Sequence, residues 1–429
     1  MKAVLKSDTL EVTRLFSNLE LYGNKLNHQP GSVLGSTALI AGTTVGAGIL
    51  ALPAVTLPSG VVPSTVLLIA VWLYTIVSGL LIAEVTLNTM HLVGCPSLGL
   101  LGMVERTLGK LSARVAGGAY LFLHYALLVA YVAQGGEILL SAVEKVLGVQ
   151  SVLPAWVGTT AFTLLFGGIM YLGRERFVEK LNNAFVAIVL ASFLGLLLLG
   201  ATQLKTSSFS FQNWSAVPAA VSVMFVALFY SNVVPTVVTQ LEGDARKIRQ
   251  SIFIGSAIPL IMFLAWNAVI LGSVSPDMVG TFGGKTVFDP LQILRDGSAG
   301  EWLGVLVSIF SEFAIVTSFI GFMYGLLDFF KDILAPNESY RRLPLYSLIL
   351  FPPMSLGGLN PSIFLAALDY AGTFSISVLG GIIPALMIWK QRQEQQQSTS
   401  MSQPLVPGGK VTLIVMIGVA LIVIGLGLG

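Results

Sequence analysis

The sequence predicts an all-α integral membrane protein: a 5+5 inverted repeat with broken spans one and six, followed by an eleventh span. Three observations predict it. The chain carries too little charge to solvate a soluble surface. Its apolar runs recur at bilayer length, with basic residues gathered at alternate ends. Two of those runs are interrupted at matching places.

Of 429 residues, 55% are hydrophobic and 10% are charged, and the mean hydropathy is +0.84. Soluble domains carry about 25% charged residues, so this composition points to lipid. The net charge of +2 is spread along the chain, which excludes a basic nucleic-acid face. Cys95 is the single cysteine, so neither an intrachain disulfide nor a thiolate metal cluster can form. Of His28, His91 and His124 only His124 lies in an apolar run, which argues against a haem or multi-histidine metal site. Residues 1–30 are polar and include Asp8, Glu11 and Glu20. They read as a cytoplasmic N-terminal segment, with neither the apolar core of a signal peptide nor the acid-poor composition of a transit peptide.

A span needs about 20 apolar residues. Eleven runs qualify: 33–57, 61–89, 115–143, 153–172, 181–203, 216–240, 250–272, 302–328, 343–359, 361–389 and 411–428. The ninth is the shortest and is interrupted by Pro352 and Pro353. With strict alternation and the N-terminus inside, 19 Lys and Arg fall on the inner side and 4 (Lys145, Lys205, Lys285 and Arg295) on the outer. That asymmetry puts the N-terminus in the cytoplasm and the C-terminus outside. The expected units are residues 31–203 and 204–390 as the two repeats, a Gln- and Ser-rich cytoplasmic linker over 391–410, and a peripheral last helix over 411–429.

The first run contains Gly42-Thr43-Thr44-Val45-Gly46-Ala47-Gly48. A lipid-facing helix gains nothing from glycines and β-branched polar residues at its middle. Broken backbone at membrane depth survives only where it is buried in protein or lines a cavity. The alternative is close helix packing of the small-xxx-small kind, whose spacing Gly42 and Gly46 fit. The sixth run carries its own interruption, Phe229-Tyr230-Ser231-Asn232-Val233-Val234-Pro235, where Pro235 removes a donor and disfavours helix at Val234. The two halves superpose at an offset of about 185 residues, and paired interruptions of this kind mark a midplane binding site. Because five is odd, the second half enters from the opposite side. Freed N–H groups at a break hold a carboxylate and freed carbonyls hold a cation or ammonium; an α-amino acid presents both.

Gly31-Ser32-Val33, followed by the run from Ile40-Ala41-Gly42 to Ala51-Leu52-Pro53, resembles the opening of the bacterial tyrosine and tryptophan permeases, in the hydroxy and aromatic amino acid permease family. The resemblance continues through Tyr125-Ala126-Leu127, Tyr131, Gly136-Glu137, Val234-Pro235, Gly243, Arg246-Lys247 and Gly255-Ser256-Ala257-Ile258-Pro259-Leu260. It reaches Thr317-Ser318-Phe319, Gly325-Leu326 with Asp328, Pro352-Pro353 and Tyr370-Ala371-Gly372. It implies the leucine-transporter-like fold of the amino acid–polyamine–organocation superfamily, eleven spans, and cation-coupled uptake of aromatic amino acids across a bacterial inner membrane or a plastid envelope.

For the substrate backbone the candidates are Thr43, Thr44, Gly46 and Gly48, facing Tyr230, Ser231 and Asn232. For the aromatic side chain they are Tyr125 or Tyr131, Phe229, and Phe319 or Phe322. At 100° per residue His124 and Tyr131 share one face of span three, which makes His124 a candidate proton carrier beside the intramembrane acids Glu312, Glu137 and Glu84. The plainer reading of Glu84 is a protonated helix-to-helix hydrogen bond. Ala314, Thr317 and Ser318 form a stripe on span eight that, in sodium-coupled members of the fold, completes a cation site with span-one carbonyls. Glu312 lies about 200° away from Ala314 around the helix. The resemblance leans to protons, the stripe allows sodium, and no cofactor or metal centre is expected beyond that coupling ion.

Enzyme, channel and pump readings are weaker. No Ser–His pairing or clustered metal ligands occur in the spans, the two interruptions differ from each other as a repeated filter would not, and no ATP-binding loop is present, so an ion gradient is the expected driving force.

Overall fold

The computed structural model describes residues 15–22, 25–28, 31–46, 48–93, 99–147, 153–202, 204, 209–273, 301–334, 342–360, 363–395 and 404–428. The chain opens with an antiparallel hairpin, β1 (Leu19–Tyr22) and β2 (Lys25–His28), registered with Leu19 opposite His28. Helices then run α1 (Val33–Thr44), α2 (Gly48–Thr56), α3 (Val61–Val93), α4 (Leu100–Leu108) and α5 (Lys110–Leu147). Next come α6 (Ala155–Phe162), a π-helical turn over Thr163–Gly167, α7 (Gly168–Leu172) and α8 (Glu175–Ala201). The second half holds a 3₁₀ segment Trp214–Ala220, α9 (Val221–Ala227), a 3₁₀ turn Ser231–Val233, α10 (Val234–Gln240), α11 (Ala245–Ser273) and α12 (Glu301–Leu334). It closes with α13 (Arg342–Leu359), α14 (Ile363–Tyr370), a π-helical stretch Ala371–Ile382, α15 (Ile383–Gln395) and α16 (Gly409–Leu428).

Among the described residues nine helical stretches are long and apolar enough to cross a bilayer, and the bent pair α1 and α2 makes a tenth. The outward faces are apolar too: Leu34, Leu172 and Leu359 are each about four-fifths exposed,. Such a surface needs lipid. The chain is an integral membrane protein. The ninth expected run does form α13, whose outward Leu343, Phe351 and Leu359 match its neighbours. Arg342 and the internal Pro352 and Pro353 dilute it, and it falls outside the set of helices that meet the length and hydropathy measure.

Three details add to the expected units. The N-terminal segment carries the two strands of the hairpin, Leu19–Tyr22 and Lys25–His28. A short helix, α4, stands where a loop was expected before span three. The 391–410 linker is not free at either end, because residues 391–395 continue α15 and Leu405 and Val406 are buried; its middle lies outside the described residues, as do Cys95 and the 274–300 connection.

The core explains how prolines are tolerated at depth. Proline has no N–H, so it strands the carbonyl four residues earlier. Pro53 in α2 strands the Ile49 carbonyl, and Trp266 of α11 fills it with its indole N–H at 3.0 Å. Pro352 in α13 strands the Leu348 carbonyl, and the Tyr125 hydroxyl of α5 donates to it at 3.0 Å. In each case a neighbouring span restores the missing bond, as a bilayer interior requires.

Candidate functional site

The two interruptions are real and they meet. The helix of α1 stops at Thr44, Val45 turns extended, and α2 leaves at 52° to α1. In the sixth span α9 stops at Ala227, the chain turns through Leu228–Tyr230, and one 3₁₀ turn leads into α10. Helix α2 packs directly against α9. A β-carbon on Gly48 would sit 2.8 Å from the Ala227 α-carbon, so only glycine allows this approach. A β-carbon on Gly46 would sit 2.6 Å from the Ser318 hydroxyl of α12. By contrast, one on Gly42 would meet nothing within 4 Å, so close packing does not explain the glycine there.

The stripe on α12 therefore faces the first break. Ser318 donates to the Ala314 carbonyl at 2.9 Å and Thr317 donates to the same oxygen at 3.1 Å. Tyr131 of α5 hydrogen-bonds with Ser318. Gly46, Tyr131, Ala314 and Ser318, singled out separately in the sequence, thus come together at one break.

The polar groups of the breaks differ in what they do. Thr43 and Thr44 donate back to the Leu39 and Ile40 carbonyls of their own helix, at 2.7 and 2.8 Å. Tyr230 is fully buried, lies over Gly79 of α3, donates to the Thr75 carbonyl at 3.0 Å and hydrogen-bonds with Ser256 of α11. It anchors the second break to its neighbours. Ser231 meets Ser78 of α3 at 3.1 Å. Asn232 is different: its side-chain oxygen is buried with no hydrogen-bond partner. Phe229 is buried and approaches Gly380 in the π-helical stretch of the tenth span. Phe319 packs edge-on against Phe162 at 5.4 Å, on the α6 side of α12.

The expected shared face of span three is present, since His124 and Tyr131 both pack on Phe322, at 5.0 and 5.8 Å between ring centres. His124 is buried among Tyr120, Phe322 and Gly325, with Nδ1 2.8 Å from the Tyr120 carbonyl. The acids part company. Glu137 is exposed beside Gln134, and Glu312 is half-buried on α12. Glu84 does bridge two helices, and its partner is a cation. It forms a bidentate ion pair with Arg392 of α15 at 2.8 and 2.9 Å and accepts the Leu405 backbone N–H at 2.9 Å. A carboxylate so engaged belongs to the framework.

A second polar cluster lay beyond the reach of sequence reasoning. Glu242, in the loop after α10, has a left-handed φ of 54°. Its carboxylate meets His28 Nε2 at 2.6 Å and accepts the Asn18 N–H at 2.6 Å, while its carbonyl accepts the Leu15 N–H at 2.8 Å. The N-terminal hairpin is thereby strapped to the end of the broken sixth span. Arg249 reaches the Pro404 carbonyl at 3.3 Å, which puts this strap and the Glu84 clamp at the same end of the bundle. No motif announces a pairing between residues more than 200 positions apart.

The profile of the tryptophan/tyrosine permease family matches residues 29–426, nearly the whole chain and both breaks. The chain belongs to this family. The family is one of transport proteins, not enzymes. Similar proteins include the tyrosine-specific transport system 1 of Haemophilus influenzae, 28% identical over 90% of this chain and 93% of that one. The tryptophan-specific transport protein of the same organism is 28% identical over 86% of this permease and 90% of its own length. Glutamine transporter 2 of Aliivibrio fischeri is 25% identical over 89% and 95%.

Proposed function

We propose that this permease imports aromatic amino acids, tyrosine and tryptophan above all, by symport with a cation through alternating access. The observation that carries the reading is the meeting of two interrupted spans at Gly48 and Ala227, in a chain whose family profile spans both. Helix ends exposed at such a junction supply N–H groups for a carboxylate and carbonyls for an ammonium. Tyr131 and Phe229 border the two breaks and offer an apolar slot for a ring. In this reading the two halves form an inverted five-plus-five repeat in a bacterial inner membrane. The N-terminus is cytoplasmic, as the 19 to 4 distribution of basic residues indicates,.

The coupling ion in this reading is the proton, with Glu312 and Glu137 as carriers, since carboxyls in spans are functional by default. A sodium-coupled reading, which extends to other neutral amino acids, is favoured by one observation: the Ala314, Thr317 and Ser318 stripe abuts the first break through Gly46.

The test is uptake of labelled tyrosine, tryptophan and glutamine into proteoliposomes under separate proton and sodium gradients. Aromatic uptake under a proton gradient supports the first reading. Sodium-driven uptake moves the coupling site to Ser318 and Thr317. An absence of aromatic uptake under both gradients sinks the substrate assignment and leaves the family assignment intact.

A further inference from the structure

We propose that the carboxamide of Asn232 reads the polar tip of the substrate's side chain, accepting the phenolic O–H or indole N–H, and so sets the preference for ring-polar over plain aromatic amino acids. This rests on the aromatic-import reading above.

Asn232 sits in the 3₁₀ turn Ser231–Val233, which packs against α1, the first half of the broken first span, and against α3. The α3 side is already taken: Tyr230 is pinned to Thr75 and Ser231 to Ser78. On a 3₁₀ turn successive side chains project about 120° apart, so Asn232 projects away from the Ser231–Ser78 contact. Its oxygen is buried there without a donor. Two buried amides elsewhere in the spans are met. Asn88 pairs with Gln391 at 3.1 Å, and Asn267 pairs with Thr56 and Ser64 at 2.6 and 2.9 Å. Asn182 on α8, Thr163, Ser311 on α12 and Ser375 in the π-helical stretch also carry unpartnered oxygens, but none lies on a broken span. A buried polar atom without a partner is costly and calls for an explanation. At a binding junction the explanation is a donor that arrives with the ligand. A phenol or indole brings one. A phenyl ring does not, and would leave the oxygen without its hydrogen bond.

The test is competition for labelled tyrosine on the reconstituted full-length protein, with tyrosine, tryptophan, phenylalanine and O-methyltyrosine as competitors. O-methyltyrosine keeps the ring oxygen but has no hydrogen to donate. The wild type should favour tyrosine over both donor-free analogues by about tenfold, the size of one neutral hydrogen bond. Asn232→Leu should erase that ratio by weakening tyrosine and leaving phenylalanine unchanged, whereas Asn232→Asp, which keeps an acceptor oxygen, should retain it. A wild type that binds all four equally, or an Asn232→Leu variant that weakens all four equally, overturns the assignment. Should Asn232→Leu fail to reach the membrane, the wild-type ratio and the Asn232→Asp ratio decide. Binding of no aromatic amino acid overturns the import reading, and the assignment with it. Binding without discrimination overturns the assignment alone.

Discussion

The polar groups at the clamped end of the bundle and those at the junction of the two breaks follow opposite rules. At the clamped end the Glu84 carboxylate is met by Arg392 and by the Leu405 N–H, and Gln391 bridges Asn88 and Thr89. The N-terminal hairpin is fastened at Glu242. At the junction two helices end inside the bundle and Asn232 keeps an unmatched oxygen. The Asn232 oxygen is buried as the clamp's groups are, although the residue as a whole is less so. What separates them is whether the protein supplies the partner. Where it does, the group holds elements together. Where it does not, and the group stands at a break in two helices, an incoming ligand can supply the partner.

The largest effect should come from breaking the clamp on one side only. Arg392→Ala leaves the Glu84 carboxylate, 5% exposed, without its cation. Stranding a buried charge in this way costs about 3–5 kcal/mol. Thermal unfolding in detergent should show a large drop, with a partial return when Glu84→Gln is added to remove the stranded charge. If Arg392→Ala were as stable as the wild type, the two regions would not differ as described. The next largest effect should fall on transport and spare stability. Gly48→Val places side-chain atoms where Ala227 already stands and wedges the junction open. A misplacement of about 1 Å at a site costs about 100-fold in rate, so uptake should fall by that order while membrane insertion persists. Gly42→Ala, where nothing lies within 4 Å of the added carbon, should leave uptake unchanged. Equal losses at Gly42 and Gly48 would mean that the glycines serve a common packing role.

Much of this contrast was legible in the residues. Glycines and a proline weaken a helix by local chemistry, so both breaks stood out in Gly46-Ala47-Gly48 and in the run ending at Pro235. The Tyr131 and His124 face followed from helical spacing alone, as did the Ala314 and Ser318 stripe. Roles that depend on distant partners were not legible. Glu84 read as an intramembrane acid because Arg392 lies 308 residues away. Nothing in the sequence pointed from His28 to its partner Glu242, 214 residues away. Tyr230 and Tyr125 read as pocket candidates, yet each spends its hydroxyl on a backbone carbonyl of another span. Aromatic identity tells a reader that a donor is available; only the fold tells where it is used.

The two proline-freed carbonyls give the finest test of the rule that the framework satisfies its own polar groups. They are the same chemical lesion repaired in two environments. Trp266 is fully buried where it serves the Ile49 carbonyl, whereas Tyr125 serves the Leu348 carbonyl at a partly exposed position. Trp266→Phe removes the donor and leaves a buried acceptor bare, at a cost of about 1–3 kcal/mol, plus some lost packing against Phe310 and Phe193. Tyr125→Phe removes a donor from an acceptor that sits nearer the protein's outer face, and should cost about 0.5–1.5 kcal/mol. Because Ile49 belongs to the half-helix beyond the first break, Trp266→Phe should also raise amide exchange in α2 relative to α3. Tyr125→Phe should leave exchange in α2 untouched. If both substitutions cost the same and neither changed α2, the indole would be packing material and the carbonyl would have found another donor. If only Trp266→Phe loosened α2, the broken first span would owe its fixed angle to a bond from the seventh, and the junction's openness would depend on how completely its surroundings are closed.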